Sequence, residues 1–238
     1  MARHNLSFAS DIFHGDVVNQ RFLTGTASVG GLPGLPWTHL YTDRMGALAS
    51  LATACFATLQ TVTAAGSLTL VSASITNAWP RSITITSVGT DTGMVFTITG
   101  TDLYGRTMTE SITSVSGSMV SGAKAFKTVS GITTSSAMAT TFSVGRGNIF
   151  GLSFRLTNFE YMVSSTASGS VLGSTTGANI IACVTTAATA TTGDVRGTAE
   201  FTGPVPNGTI RYGVTYQVIG TDTTSLGSTE AAFGVAQA

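Results

Sequence analysis

Charge is what this sequence has least of. Only 9% of its 238 residues are Asp, Glu, Lys or Arg, against about 25% in an ordinary soluble domain. Eleven basic side chains balance eleven acidic ones, and Lys124 and Lys127 are the only lysines. No basic tract exists, so nucleic-acid binding by a charged face has no support. The two cysteines, Cys55 and Cys183, lack metal or redox spacing. Buried free thiols in a reducing compartment are expected, with a disulfide as the alternative. Long apolar runs are missing too. The most apolar stretch, GALASLATACFATL (46–59), is too short for a membrane span and carries Ser and Thr. The opening MARHNLSFASDIFHG lacks the apolar core of a secretory signal, so export is not expected.

What is present is apolar and hydroxyl-rich. Mean hydropathy is +0.33, which excludes a disordered chain, since disorder requires a polar, charged composition. A surface with so little charge has little to keep it apart from its neighbours. Much of it is therefore expected to rest against other subunits, the alternative being a free protein with a Thr/Ser-rich surface.

Residues 1–42 read as an extended arm. Its aromatics follow no period, and VGGLPGLPW (29–37) interrupts regular structure with Gly and Pro. An arm without periodicity makes no core of its own. Its apolar residues Phe8, Phe13, Phe22, Leu32, Leu35 and Trp37 are the expected interaction residues. In 43–60, Met45, Leu48, Leu51, Ala52, Cys55, Phe56 and Leu59 fall at helical spacing. A short helix capped by Asp43 is the favoured reading there, although Gly46 and the threonines weaken it.

From residue 66 the chain changes to short runs rich in Thr, Val and Ile. SLTLVSASI (67–75), SITITSV (82–88), MVFTITG (94–100), RTMTESIT (106–113), AFKTVSGI (125–132) and TTFSVG (140–145) are separated by turn residues. After a break at GRGNIFG (145–151) come LSFRLTNFEYMV (152–163), NIIACVTT (179–186), VRGTAEFTG (195–203) and TIRYGVTYQVIG (209–220). The last sets Ile210, Tyr212, Val214, Tyr216 and Val218 on one face, and Asn207-Gly208 before it suits a tight hairpin turn. Regularly spaced short strands predict an all-β fold, an antiparallel β-sandwich or barrel. The expected division is the arm (1–42), a β-sandwich module (43–145), and 146–238 as a second β subdomain or the completion of the first.

Catalytic signatures fail on inspection. Asp91-Thr92-Gly93 matches the aspartic-protease triplet. Yet Gly-Thr-Asp recurs at 89–91, 100–102 and 220–222, each time after an apolar run. Gly supplies positive φ and Asp bonds its own backbone, so a turn is the better reading. His4, His14 and His39 lack ligand spacing. There is no Gly-x-Ser-x-Gly elbow, and GRGNIFG has the wrong spacing for a dinucleotide loop. Glu110, Glu160 and Glu200 stand alone in alternating runs, where exposure is the ordinary expectation. No enzyme, cofactor, metal or small-molecule substrate is expected.

The stretch 43–145 resembles a module of virion proteins of tailed bacteriophages. The residues that carry it are AAGSLTL (64–70), WPRSITITSVGTDTGMVFTITGTDLYGRTMTESIT (79–113), AFKTVSGI (125–132) and FSVG (142–145). TTGDVRGTAEFTGPVPNGTIRYGVTYQV (191–218) is similar to the ends of such proteins. The resemblance implies a structural role with no catalytic residue to carry over. It does not by itself choose between head and tail; the first expectation is a capsid decoration (cement) protein on the shell exterior, made in the host cytoplasm. Its partners would be the major capsid protein and copies of itself, as a homotrimer, with no nucleic acid or membrane. A tail or neck component (tube, adaptor or fibre attachment) is the alternative. A carbohydrate-binding domain is the third reading, but Trp37 and Trp79, the only tryptophans, both sit beside proline.

Overall fold

The computed structural model describes residues 20–22, 38–72, 75–91, 93–156, 162–167, 170–171, 178–184, 188–201 and 206–219. These residues form strands and no helix. The strands are β1 (Gln20–Phe22), β2 (Thr38–Ala47), β3 (Ala52–Gln60), β4 (Gly66–Ser67), β5 (Ile75–Ser87), β6 (Val95–Thr101), β7 (Thr107–Thr113), β8 (Met119–Ser121), β9 (Phe126–Thr134), β10 (Phe142–Gly151), β11 (Met162–Ala167), β12 (Ser170–Val171), β13 (Ala178–Ile181), β14 (Thr198–Phe201) and β15 (Arg211–Ile219). One sheet has the order β1-β2-β15-β11-β12. The other has the order β13-β14-β10-β5-β9-β6-β7, with β3 beside β10, β4 beside β9 and β8 beside β5. All pairings are antiparallel, as the alternating sequence predicts.

The larger sheet curls into a half-barrel around a first core. Phe56, Ile83, Ile85, Phe96, Ile98, Met108, Phe126, Ile132, Phe142 and Val144 fill it. Each side chain comes from one face of an alternating strand, so period two alone delivers it inward. A second core holds Met45, Leu48, Phe150, Leu152, Phe201, Tyr212, Val214, Tyr216 and Val218. It lies between the five-stranded sheet and the β14 end of the larger one. β15 fulfils its expected pattern, with Ile210 also packed against this core.

β10 feeds both cores. Phe142 and Val144 enter the first and Phe150 the second. The stretch 145–151, expected as a break, is therefore strand. Its glycines serve a β-bulge, where the pairing with β5 shifts register between Arg146 and Phe150. Arg81 fills the bulge. Its Nε donates to the Gly147 carbonyl at 2.7 Å and its Nη1 to the Ala49 carbonyl at 2.6 Å. The guanidinium also lies 4.8 Å from the Phe150 ring centroid. At Gly145 a Cβ would run into the Ala52 carbonyl, so only glycine lets β3 approach this closely.

Several local expectations are corrected. Residues 43–60 form no helix. Gly46, at φ 70°, ends the regular run of β2, and the apolar set at helical spacing splits between the cores. Met45 and Leu48 enter the second core, while Phe56 and Ala57 enter the first. Asp43 caps nothing and is a buried residue of β2. Of the described residues in 67–75 only Ser67 and Ile75 are strand, and 152–156 is irregular, with β11 starting at Met162. Asn207-Gly208 forms a turn, with Gly208 at φ 88°. It is not a hairpin between paired strands, because β15 pairs with β2 and β11 rather than β14.

Candidate functional site

The most elaborate side-chain constellation is a buried polar seam where the two sheets meet. Arg196, 1% exposed, pairs with Asp102, 0% exposed, at 2.8 Å. Its Nε donates to the Leu152 carbonyl at 3.0 Å, and its guanidinium lies 5.4 Å from the Tyr104 ring centroid. The other oxygen of Asp102 accepts the Tyr104 and Arg106 amides at 2.8 and 2.9 Å. One carboxylate thus builds the β6–β7 turn and neutralises an arginine from another part of the chain. Tyr104 then donates its hydroxyl to the Ser153 carbonyl at 2.8 Å. Burial pushes its phenol up to about 12.

Asp43 and Tyr216 continue the seam within the five-stranded sheet. Asp43 Oδ2 accepts the Ser153 amide and the Tyr216 hydroxyl, both at 2.9 Å. That hydroxyl accepts the Phe154 amide at 3.0 Å. Burial raises the pKa of both side chains. Asp194, buried too, accepts the Arg196 amide at 2.9 Å and the Ala125 amide at 3.2 Å, and burial raises its pKa as well.

A clasp closes the half-barrel beside the seam. Glu110 of β7 reaches across to the β8–β9 connection. Its Oε1 accepts the Ala123 amide at 2.5 Å and the Lys124 amide at 3.1 Å. Lys124 answers by donating from Nζ to the Thr109 carbonyl at 2.9 Å. Side-chain bonds here take the place of strand-to-strand bonds. Gly122 makes room, since a Cβ there would strike the Glu110 carboxyl. Burial pushes that carboxyl up to about 7, against the downward pull of the two amides and of Lys124. Lys124 is lowered by its own burial.

Each carboxyl group of the seam and clasp accepts at least one backbone amide, and Asp102 also pairs with Arg196. Among the described residues no group of three or more His, Cys, Asp or Glu could hold a metal. Both cysteines are free, with Cys183 buried and Cys55 half-buried. Asp91 Oδ2 accepts the Thr140 amide at 2.6 Å and the Thr140 hydroxyl at 3.0 Å, and Gly93 has φ 81°; Thr92 lies outside the described residues. The Gly-Thr-Asp copy at 220–222 lies outside the described residues, as does Glu160.

The structure does not gather the arm residues named from hydrophobicity. Phe8, Phe13, Leu32, Leu35 and Trp37 lie outside the described residues, and Phe22 is placed only as the last backbone position of β1. Three comparisons, against protein-family models, curated proteins and solved structures, found no match. Among the described residues seven charged side chains are buried: Asp43, Arg81, Asp102, Glu110, Lys124, Asp194 and Arg196. The exposed charges among the described residues are Arg44, Arg106 and Arg211, with Asp91, Lys127, Arg146, Arg155 and Glu200 half-buried. Glu110 contradicts its expected exposure. Alternation puts its side chain on one face of β7 but does not say what covers that face. Val88, Val115 and Met119 are exposed at 61%, 48% and 43%. They sit on adjoining segments tied by Ser87–Ser118 and Gly117–Gly89 backbone bonds.

Proposed function

We propose that this protein is a structural component of a tailed-bacteriophage virion that decorates the outside of the capsid shell as a homotrimer and cements it. One observation carries the reading: a chain already poor in charge turns seven of its charges inward. The exposed positions among the described residues are mostly Thr, Ser, Ala and Gly with scattered apolar side chains. Such a surface buries against neighbours without the cost of desolvating ions. A decoration protein that binds only the assembled shell stabilises it by mass action. No catalysis is needed for that role, and the seam keeps the body stiff while it bears load.

The test is the copy number of this chain in purified particles, by quantitative mass spectrometry. A number comparable to the main shell protein, or a simple fraction of it, is expected. One or a few rings' worth would overturn the shell reading in favour of the tail or neck, and absence from particles would overturn both. A second measurement addresses the arm. Deleting residues 1–15 leaves every described strand intact, and is expected to abolish shell binding while the β body unfolds as before.

A further inference from the structure

The turn that leads into β15 is built on the one Asn-Gly pair in the sequence, Asn207-Gly208. Asn207 is exposed. Its Oδ1 accepts the Thr209 amide at 3.0 Å, the Thr209 hydroxyl at 2.8 Å and the Ile210 amide at 3.1 Å. Gly208, at φ 88°, donates its amide to the Leu48 carbonyl at 2.8 Å. The turn needs both residues: Asn bonds the backbone ahead of it, and Gly takes a positive φ without strain. These are also the two residue types that react most readily with each other. We propose that Asn207 is a site of spontaneous deamidation that the folded turn holds shut.

The reaction needs only water. The Gly208 nitrogen loses its proton and attacks Cγ of Asn207. The N–Cγ bond forms, the Cγ–Nδ2 bond breaks, and Nδ2 takes up a proton and leaves as ammonia. Water then opens the cyclic imide. Opening at Cγ gives Asp. Opening at the main-chain carbonyl of residue 207 gives isoaspartate, with an extra methylene in the backbone. Gly favours the attack because no side chain shields its nitrogen. The other asparagines precede Leu, Gln, Ala, Ile or Phe.

The fold opposes the first step. The Gly208 nitrogen is committed to Leu48, whose side chain is buried in the second core. Oδ1 of Asn207 is directed along the chain to residues 209 and 210, and bringing Cγ onto the nitrogen of 208 breaks those bonds. The folded rate is then the rate of the open turn multiplied by the fraction of time it is open. The product closes the way back. Asp can rebuild the cap, but in isoaspartate the added methylene displaces the Gly208 amide from Leu48 and the acceptor from Thr209 and Ile210. This happens just before the first β15 pair, Arg211 with Ala47. An opening long enough to react thus loosens the entry to β15 permanently.

The experiment is peptide mapping by mass spectrometry of the full chain, held folded in mildly alkaline buffer and, in parallel, unfolded in guanidinium chloride. Chromatography separates the Asp and isoaspartate peptides. In denaturant Asn207 is expected to deamidate ahead of every other asparagine. In the folded chain it is expected to react at least about tenfold more slowly. Equal rates, or no preference for Asn207 in denaturant, would overturn the proposal. A faster folded rate would overturn it too, since the donors on Oδ1 would then act as an oxyanion hole for the attack. Thr209→Val removes the hydroxyl donor at an exposed position. It should speed the folded reaction about threefold and leave the unfolded one unchanged; an unchanged folded rate refutes the lock. Hydrogen exchange needs no variant. The Gly208, Thr209 and Ile210 amides should be protected although the turn lies at the surface, and exchange at the rate of an unfolded peptide overturns the proposal.

Discussion

Replacing Glu110 with Gln should remove a pH dependence from the folding of this protein. The carboxyl is 3% exposed, and burial pushes it from 4.5 to about 7. Its Oε2 has no hydrogen-bond partner among the described residues. In the folded chain Glu110 therefore keeps its proton up to near pH 7, while in the unfolded chain it loses it near 4.5. Between those values the native state binds more protons, so stability falls as pH rises, and it is flat on either side. The shift of roughly 2.5 units corresponds to about 3 kcal/mol at 1.36 kcal/mol per unit. In a chain of this size that is about 6–12 °C in Tm. Gln keeps an oxygen for the Ala123 and Lys124 amides but cannot ionise. The variant should lose less stability than the parent between pH 4.5 and 8 by about that amount. Thermal and urea unfolding of both chains at pH 4.5, 6 and 8 reads this directly. Asp43 and Asp194 are also raised by burial and contribute slopes of the same sign, but they are common to both proteins and cancel. Parallel pH profiles, or a parent that gains stability over the variant as pH rises, would refute the reasoning. Glu110 would then be an ionised partner held by Lys124.

The other expectations concern the seam and the strand junction. Asp102→Asn keeps an acceptor for the turn amides but leaves Arg196 charged and unpaired in the interior, a loss of about 3–5 kcal/mol by urea unfolding. Tyr216→Phe strips the Phe154 amide of its acceptor and Asp43 of a donor. It should cost about 1–3 kcal/mol with no change in oligomeric state by light scattering. Gly145→Ala would drive a methyl into the Ala52 carbonyl and should cost about 3 kcal/mol or more. Gly131→Ala, with nothing within 4 Å of the new methyl, should stay within about 0.5 kcal/mol.

The strands that proved legible share one property: their apolar residues alternate along an element with one dry face. β6, β7 and β15 are of this kind, and period two identified both the elements and their inward residues. Residues 43–60 misled because spacing records which residues are apolar, not which core receives them. Met45 and Phe56 look like positions on one face of a helix, about three turns apart, but point into different cores, separated by a glycine at positive φ. The seam was less legible still. Asp102 and Arg196 are 94 positions apart, and nothing local marks either as the other's partner. Glu110 occupies the alternate position that exposed residues also occupy, and only the crossing of the 122–124 segment buries it. One signal was nonetheless present. A chain with 22 charged residues has few to spare for solubility. When such a chain sets a carboxylate in a strand, the residue is a better candidate for an internal bond than in a protein of ordinary composition. The same scarcity that hid the seam from motif reading thus offers a way to find it, by asking what each of the few charges is for.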